Sequence, residues 1–384
     1  MNAVAPMVLA ALPFPPTPAL PHGGGGSIVL AAGGTGGHFF PAEALAGELI
    51  ARGHRVVLMT DARSGGENSA VFAGSETHVL SGAGLVGRGP VRAARGAVAL
   101  ASGTLQARRI LGRLRPAVIV GFGGYPSVPP VLAARFMRHR PKILLHEGNA
   151  VLGGANRALA HLADHLALSF ERTQRLPRRA AATVTGIPIR PGFAPSAYHP
   201  PAPGGPINLL ITGGSLGARV LSQVVPAAIA LLPLSLRSRL RVTQQCRAED
   251  IERVRVAYAG AGIVAELAIF LDDMPRRLAD AHFVLGRAGA STVAELAVTG
   301  RPAVLVPLPS PDNHQRHNAA AIDAALLEQS ELMQSPERLA DLLSHRLDCP
   351  DMLAVAAHAV AVHGIPDAVG RLADLVGRLS GERV

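Results

Sequence analysis

Apolar residues fall along this chain in short unbroken runs, not in alternation. Each run ends in a turn of glycine or polar residues before a helical spacing begins. The first is Ile28–Val29–Leu30–Ala31–Ala32, feeding Gly33–Gly34–Thr35–Gly36–Gly37–His38. Continuous apolar runs bounded by turns read as strands buried on both faces, the signature of parallel sheets. Pro41 suits the first helical position, and Leu45, Leu49 and Ile50 then recur at helical spacing. Arg55–Thr60, Pro116–Gly121 and Lys142–Leu145 are further strands. They end at Asp61, at Gly123–Gly124–Tyr125–Pro126–Ser127 and at His146–Glu147–Gly148–Asn149. A second series opens with Ile207–Thr212 and the turn Gly213–Gly214–Ser215–Leu216–Gly217–Ala218, with later strands expected at Ala268–Leu271, His282–Leu285 and Ala303–Val306.

Strand, glycine turn and helix thus recur in two places, which predicts an α/β class with two doubly wound, Rossmann-like domains facing across a cleft. A strand feeding a glycine turn leaves bare N–H groups at a helix start, a site for phosphate. The 384 residues suffice for two such domains. Residues 191–206 hold six prolines and read as the linker. The expected division is therefore 27–190, linker 191–206, 207–365, and a closing helix over 366–384. That helix carries Val369, Leu372, Leu375, Val376 and Leu379 on one face, which fits packing back toward the N-terminal domain. Residues 1–26 are proline-rich and end in glycines. They lack a basic n-region, since the first arginine is Arg52, and read as a disordered extension, with Met7 an alternative start.

Composition narrows the function. Aromatic content of 3% with no Trp offers little surface for stacking bases, so no nucleic-acid partner is expected. No apolar run is long enough to span a bilayer. Cys246 and Cys349 have no CxxC spacing and read as reduced thiols of the cytosol. The formal charge is +10, and it is clustered. Between Glu76 and Glu147 there is no acidic residue, while Arg88, Arg92, Arg95, Arg108, Arg109, Arg113, Arg115, Arg135, Arg138, Arg140 and Lys142 all lie there. Leu85, Val86, Val91, Val98, Leu100, Leu105, Ile110 and Leu111 are interleaved with them. One-signed charge mixed with apolar residues favours docking on an anionic membrane over a merely solvated face.

Several residues are candidates for chemistry. The first glycine loop lacks the spacing of a dinucleotide fingerprint, since Phe39 stands where glycine is needed. His38 at the helix start would be held neutral by the helix dipole and so is a candidate base, or else only a loop hydrogen-bonding partner. Ser215 can donate to a phosphate. Thr292 and Glu295 have capping-box spacing, yet a carboxylate at a helix start can also clamp a ribose. The segment Asp312–Asn313–His314–Gln315–Arg316–His317–Asn318 suits sugar hydroxyls, or a cap for the next helix. There is no DxD, HExxH or cysteine cluster, so neither metal nor other cofactor is expected.

Taken together, Gly33–Pro41, Gly121–Ser127, His146–Asn149, Gly186–Arg190, Gly213–Ala218, Phe270–Met274, Arg287–Glu295 and Asp312–Ala319 resemble the MurG family of peptidoglycan N-acetylglucosaminyltransferases, in the family's order over residues 27–365. The resemblance implies a GT-B fold. It implies transfer of N-acetylglucosamine from UDP-GlcNAc to the muramic-acid C4 hydroxyl of undecaprenyl-pyrophosphoryl-MurNAc-pentapeptide (lipid I), giving lipid II with inversion. It also implies peripheral attachment to the cytoplasmic face of the inner membrane and contacts with other cell-wall synthesis proteins. Carried over by position, the donor contacts are Thr35, Gly36, Gly37, Asn149, Arg190, Ser215, Leu271 behind the uracil, Ala290, Ser291, Thr292, Val293, Ala294, Glu295 on the ribose, and Gln315 on the sugar. His38 and Glu147 are the two candidate bases. Departures from the family pattern are Ile187 for a usual Asn and Gly148 for a common Gln. Two rivals stand beside this reading: a transferase of the same fold acting on another lipid or small acceptor, and a non-catalytic membrane-surface nucleotide binder. Keeping His38, Glu295 and Gln315 together speaks against the second.

Overall fold

The computed structural model describes residues 26–33, 36–62, 69–81, 90–214 and 217–382, with side chains from residue 94 onward in the helix that begins at Pro90. The expectations placed on residues 1–25, Thr35, Leu85, Val86, Arg88 and Ser215, and on the side chains of Val91 and Arg92, fall outside these.

Seven strands form the first sheet: β1 Ile28–Ala31, β2 Val56–Thr60, β3 Glu76–Val79, β4 Val118–Gly121, β5 Lys142–Glu147, β6 His165–Leu168 and β7 Ala182–Val184. Their order is β3-β2-β1-β4-β5-β6-β7 and every pairing is parallel. The helices α1 Gly36–Ala51, α2 Pro90–Leu114, α3 Val128–Arg135 and α4 Gly154–Leu159 cross between them. The second sheet holds β8 Ile207–Thr212, β9 Leu240–Gln245, β10 Val264–Ala268, β11 Phe283–Gly286, β12 Ala303–Leu305 and β13 Ala325–Leu326, in the order β10-β9-β8-β11-β12-β13, again all parallel. Its helices are α5 Arg219–Ala230, α6 Leu234–Arg237, α7 Ile251–Gly260, α8 Met274–Asp280, α9 Ala290–Thr299, α10 His314–Ala320, α11 Gln329–Gln334, α12 Pro336–Leu347 and α13 Pro350–Ala361. The chain ends in α14, Ala368–Ser380.

The unbroken apolar runs are explained by burial on both faces. Ile28, Leu30, Leu58 and Val120 point to one side of the first sheet, and Val29, Val57, Met59 and Ile119 to the other. Each such side chain contributes about 1.5–3 kcal/mol by leaving water. In both sheets the strand order reverses beside the first strand, between β1 and β4 and between β8 and β11. Loops at such a switch point diverge to opposite faces and leave a crevice at the strands' carboxyl ends. The glycine turns open into these crevices.

Helix α14 packs on the first domain. Leu372, Leu375 and Val376 join Leu45 and Leu49 of α1 in one cluster, and Arg52 Nη1 lies 2.6 Å from Asp374 Oδ1. Within 191–206 the stretch around Ser196 and Tyr198 is fastened to the second domain. The buried Arg301 donates to Ser196 Oγ at 2.6 Å and sits 5.6 Å from the Tyr198 ring, whose hydroxyl donates to His282 O.

Three expectations are corrected. The strand expected at Ala268–Leu271 lies earlier, at Val264–Ala268, because β10 takes its register from Arg241–Gln245 of β9; Ile269 and Phe270 then leave the sheet as an exposed rim. Pro41 is not the first helical residue but lies inside α1, which already starts at Gly36. Its missing N–H leaves the Gly37 carbonyl without its usual partner. Finally, the apolar residues of α2 do not all face outward. Leu111 is fully buried against the sheet, and Leu100 and Ile110 are half-buried. Among the described side chains of this group only Val98 (69% exposed) and Leu105 (58%) stand out in water, joined by Phe136 (66%), which the sequence reading did not single out.

Candidate active site

The cleft between the domains has a volume of about 550 Å³. The first domain supplies Gly36, Gly37, Phe40 and Arg190 to it; the second supplies the Gly213–Gly214 turn, the start of α9, and Leu271, Glu295 and Gln315. Of the residues expected to hold a donor, Gly36, Gly37, Arg190, Leu271, Ala290, Ser291, Thr292, Glu295 and Gln315 line it. Val293 does not: its side chain is fully buried in the core of the second domain. Ala294 turns into an apolar seam between the domains with Ile187, Ile189 and Val298. Ile187, the departure from the family pattern, is therefore a packing residue here.

Helix α9 is capped by Gly289 with no side-chain cap, and Thr292 is already its third residue. The capping-box reading of Thr292 and Glu295 is thus corrected, because a residue inside the first turn cannot cap it. Glu295 instead faces Arg190, with Oε1 3.8 Å from Nη2, and the Arg190 guanidinium lies 5.5 Å from the Phe40 ring. Burial pushes the Glu295 carboxyl up to about 7, and Arg190 only partly offsets this. The Gln315 Oε1 accepts from the Leu308 N–H at 2.9 Å, which directs its amide NH₂ as the group left for a ligand.

His38 is the third residue of α1. Its ring packs on the backbone of Gly123 and Gly124: a Cβ built on Gly123 would come 3.4 Å from the imidazole Cδ2. Both glycines have positive φ, at +84° and +68°, which other residues rarely adopt. That explains the Gly-Gly in the sequence: it forms a flat seat for the imidazole. Burial lowers the His38 pKa, partly opposed by the nearby Glu147 charge, so the ring is neutral at pH 7.

Glu147 is buried and its carboxylate accepts four hydrogen bonds. Oε1 takes the Asn149 N–H and Nδ2 at 3.0 and 3.1 Å; Oε2 takes the Gly153 N–H and Asn156 Nδ2 at 2.8 and 3.0 Å. Asn149 is committed to Glu147 and does not line the cleft. The preceding His146 is fully enclosed, tilted against Phe122 at 5.3 Å, with its pKa lowered to about 4 by burial.

Sequence reasoning missed several side chains. Phe270, half exposed, and Met274 line the cleft beside Leu271. Arg287 lines it too, and braces the turn after β12 by donating to Val306 O, Pro307 O and Gln329 Oε1. Asn156 and Asn318 are buried amides; Asn318 closes the Asp312–Asn318 segment, but the sequence did not mark it out from its polar neighbours. Among the described residues no three His, Cys, Asp or Glu side chains are grouped to hold a metal ion.

Comparison with known proteins agrees with this architecture. The model of the glycosyltransferase family 28 N-terminal domain matches residues 28–168, and that of the family 28 C-terminal domain matches residues 208–372. The UDP-N-acetylglucosamine–N-acetylmuramyl-(pentapeptide) pyrophosphoryl-undecaprenol N-acetylglucosamine transferase of Granulibacter bethesdensis is 56% identical, over 91% of this chain and 92% of its own. The protein of the same name from Acidiphilium cryptum is 55% identical, over 93% and 98%. The crystal structure of Acinetobacter baumannii MurG superposes with a TM-score of 0.75 at 28% identity, covering 92% of this chain and 99% of that one. Two parallel-sheet domains, glycine turns facing across one cleft and the same pair of family domains in the same order leave one assignment: the chain belongs to glycosyltransferase family 28, in its MurG group.

Proposed function

We propose that this chain transfers N-acetylglucosamine from UDP-GlcNAc to the C4 hydroxyl of the muramic acid in lipid I, with inversion, giving lipid II and UDP. The observation that carries the proposal is the buried Glu295 on the second turn of α9, paired with Arg190 in the cleft, while the first turn of α1 brings Gly36 and Gly37 to that cleft and carries His38, seated on Gly123–Gly124, just behind it. In this reading the uracil lies toward Leu271 and Phe270, and Glu295 accepts from both ribose hydroxyls. The pyrophosphate meets the unpaired N–H groups of Ala290, Ser291 and Thr292 at the start of α9. Gln315 holds a sugar hydroxyl.

His38 takes the proton of the acceptor C4 hydroxyl while that oxygen forms its bond to the anomeric carbon. The bond from that carbon to the UDP oxygen breaks, and the electron pair leaves with UDP, whose charge the helix start stabilises. Between the two candidate bases we assign the role to His38. All four acceptor positions of the Glu147 carboxylate are already occupied, so a proton there would displace a donor. Glu147 shapes the loop and favours the imidazolium as it forms.

The acceptor's polyprenyl chain lies in the bilayer, so the enzyme works at the cytoplasmic face of the inner membrane. No described helix is long and apolar enough to cross. The docking face is Val98, Leu105 and Phe136 among the exposed Arg95, Arg108 and Arg109, with Arg108 donating to Phe136 O at 2.9 Å. The test is direct. The purified chain is incubated with UDP-GlcNAc and a lipid I analogue and the product is weighed by mass spectrometry. Gain of one N-acetylhexosamine on the acceptor is expected; an unchanged acceptor refutes the reading.

A further inference from the structure

Asn318 lies on α10 in the second domain and is completely buried, although it carries no charge to neutralise and touches no cleft surface. Each polar end of its side chain is engaged, and most of the partners belong to the other domain. Its Oδ1 accepts the Ala150 N–H at 2.8 Å. Its Nδ2 donates to Asn149 Oδ1 at 3.1 Å and to Ala288 O, just before α9, also at 3.1 Å. Asn149 is in turn bound to Glu147, beside His38. One amide therefore joins the loop that carries the candidate base's neighbour to the turn that opens the nucleotide-binding helix. Two exposed links lie next to it: Gln174 Nε2 to His317 Nδ1 at 2.9 Å, and Arg175 Nη1 to Asp312 Oδ1 at 2.6 Å. The buried link has no competition from water and is directional at both ends, so it fixes geometry where the surface links add little.

We infer that Asn318 is a positioning residue, the buried clasp that sets the first domain's Glu147–Ala150 loop, and with it His38, at the working distance from a sugar nucleotide held by the second domain. The inference rests on the proposed transferase reading for its consequence in turnover, but not for its structural content. It follows that the nucleotide site forms without the clasp, while the transfer step does not. A displacement of about 1 Å between reacting groups costs up to about a hundredfold in rate.

The two variants that separate the alternatives are Asn318→Ala and Asn318→Asp. Asn318→Ala removes all three hydrogen bonds. Asn318→Asp keeps the acceptor for Ala150 but sets a carboxylate against two acceptors, Asn149 Oδ1 and Ala288 O. Three quantities are measured on the full chain: amide hydrogen exchange at Ala150, UDP affinity, and kcat with the KM for UDP-GlcNAc. In Asn318→Ala we expect lost protection at Ala150, and kcat lowered about 30-fold or more. UDP affinity and the donor KM should stay within about threefold of the parent. In Asn318→Asp we expect protection retained, kcat lowered as strongly at pH 8, and partial recovery at acid pH, where the protonated carboxyl can again donate. Unchanged kcat in folded Asn318→Ala overturns the inference. So does a fall in UDP affinity parallel to kcat, which would make Asn318 a prop of the nucleotide loop alone. If the parent chain transfers no sugar, the functional reading fails, and Ala150 exchange then judges the clasp by itself: unaltered protection in Asn318→Ala overturns it.

Discussion

Glu295 gives the sharpest quantitative test, because its proton reports on the ligand. In the unliganded chain burial holds its pKa near 7, so about half of the molecules carry the neutral acid at pH 7. A ribose that donates two hydroxyls to the carboxylate favours the charged form and returns the pKa to the ordinary carboxyl range, about 4.5 or lower. Donor binding must then expel a proton, and affinity must rise with pH. Working the two pKa values through, affinity for UDP-GlcNAc falls about tenfold, or about 1.4 kcal/mol, between pH 8 and pH 6, with about half a proton released at pH 7. UDP-GlcNAc is the right probe because its pyrophosphate does not titrate in this range. Calorimetry in buffers of different ionisation enthalpy reads the released proton directly. Glu295→Gln should bind the donor more weakly, by about 1–3 kcal/mol at pH 8, and release no proton. Equal affinity at pH 6 and 8 with no proton release would refute the ribose assignment, as would identical behaviour of Glu295→Gln.

The same burial has a cost without ligand. The folded pKa lies above the unfolded value, so the folded chain holds more protons between about pH 4.5 and 7 and loses stability as pH rises through that window. Glu295→Gln should therefore unfold at higher temperature than the parent at pH 8, with a gain of up to about 3 kcal/mol that vanishes near pH 4.5; a constant difference across pH would contradict this. His38→Ala is expected to lower kcat about a hundredfold while UDP still binds, and near-full turnover would move the base elsewhere. Gly123→Ala puts a methyl 3.4 Å from the His38 ring at a backbone of φ +84°, so kcat should drop with UDP affinity kept; calorimetry beside a turnover assay tests the split. Reversing Arg95, Arg108 and Arg109 to Glu should abolish binding to anionic vesicles in a sedimentation assay and spare UDP binding, at about 1 kcal/mol for each basic residue near the surface; undiminished sedimentation would show a merely solvated face.

Much of the architecture could be read from the chain because parallel strands are buried on both faces and so appear as uninterrupted apolar runs. β1 and β8 were visible in this way, and the glycine turns after them marked the crevices. What could not be read depends on residues far apart in sequence. The partner of Asn318 at Ala150 lies 168 positions away, and nothing local distinguishes that asparagine from the polar residues around it. The seat of His38 on Gly123 is of the same kind. Local propensity also lost to tertiary context. Pro41 has the conformation of a first helical residue, yet α1 begins five residues earlier where the sheet delivers the chain. β10 ends at Ala268 because its pairing with β9 ends there, although the apolar run continues.

The return of α14 onto the first domain bears on the order in which this protein can mature during synthesis. Asp374, which pairs with Arg52, lies 322 positions after it, and Leu372, Leu375 and Val376 fill the groove beside Leu45 and Leu49. Until that stretch emerges, the early domain carries an open apolar trough that no nearby part of the chain can cover. A nascent chain halted anywhere in the second domain is thus a natural client for a holdase chaperone, even with its first sheet fully paired. Closure of the trough adds to the ties made at Asn318 and in the seam around Ile187, since by then the polypeptide has passed between the two halves in both directions.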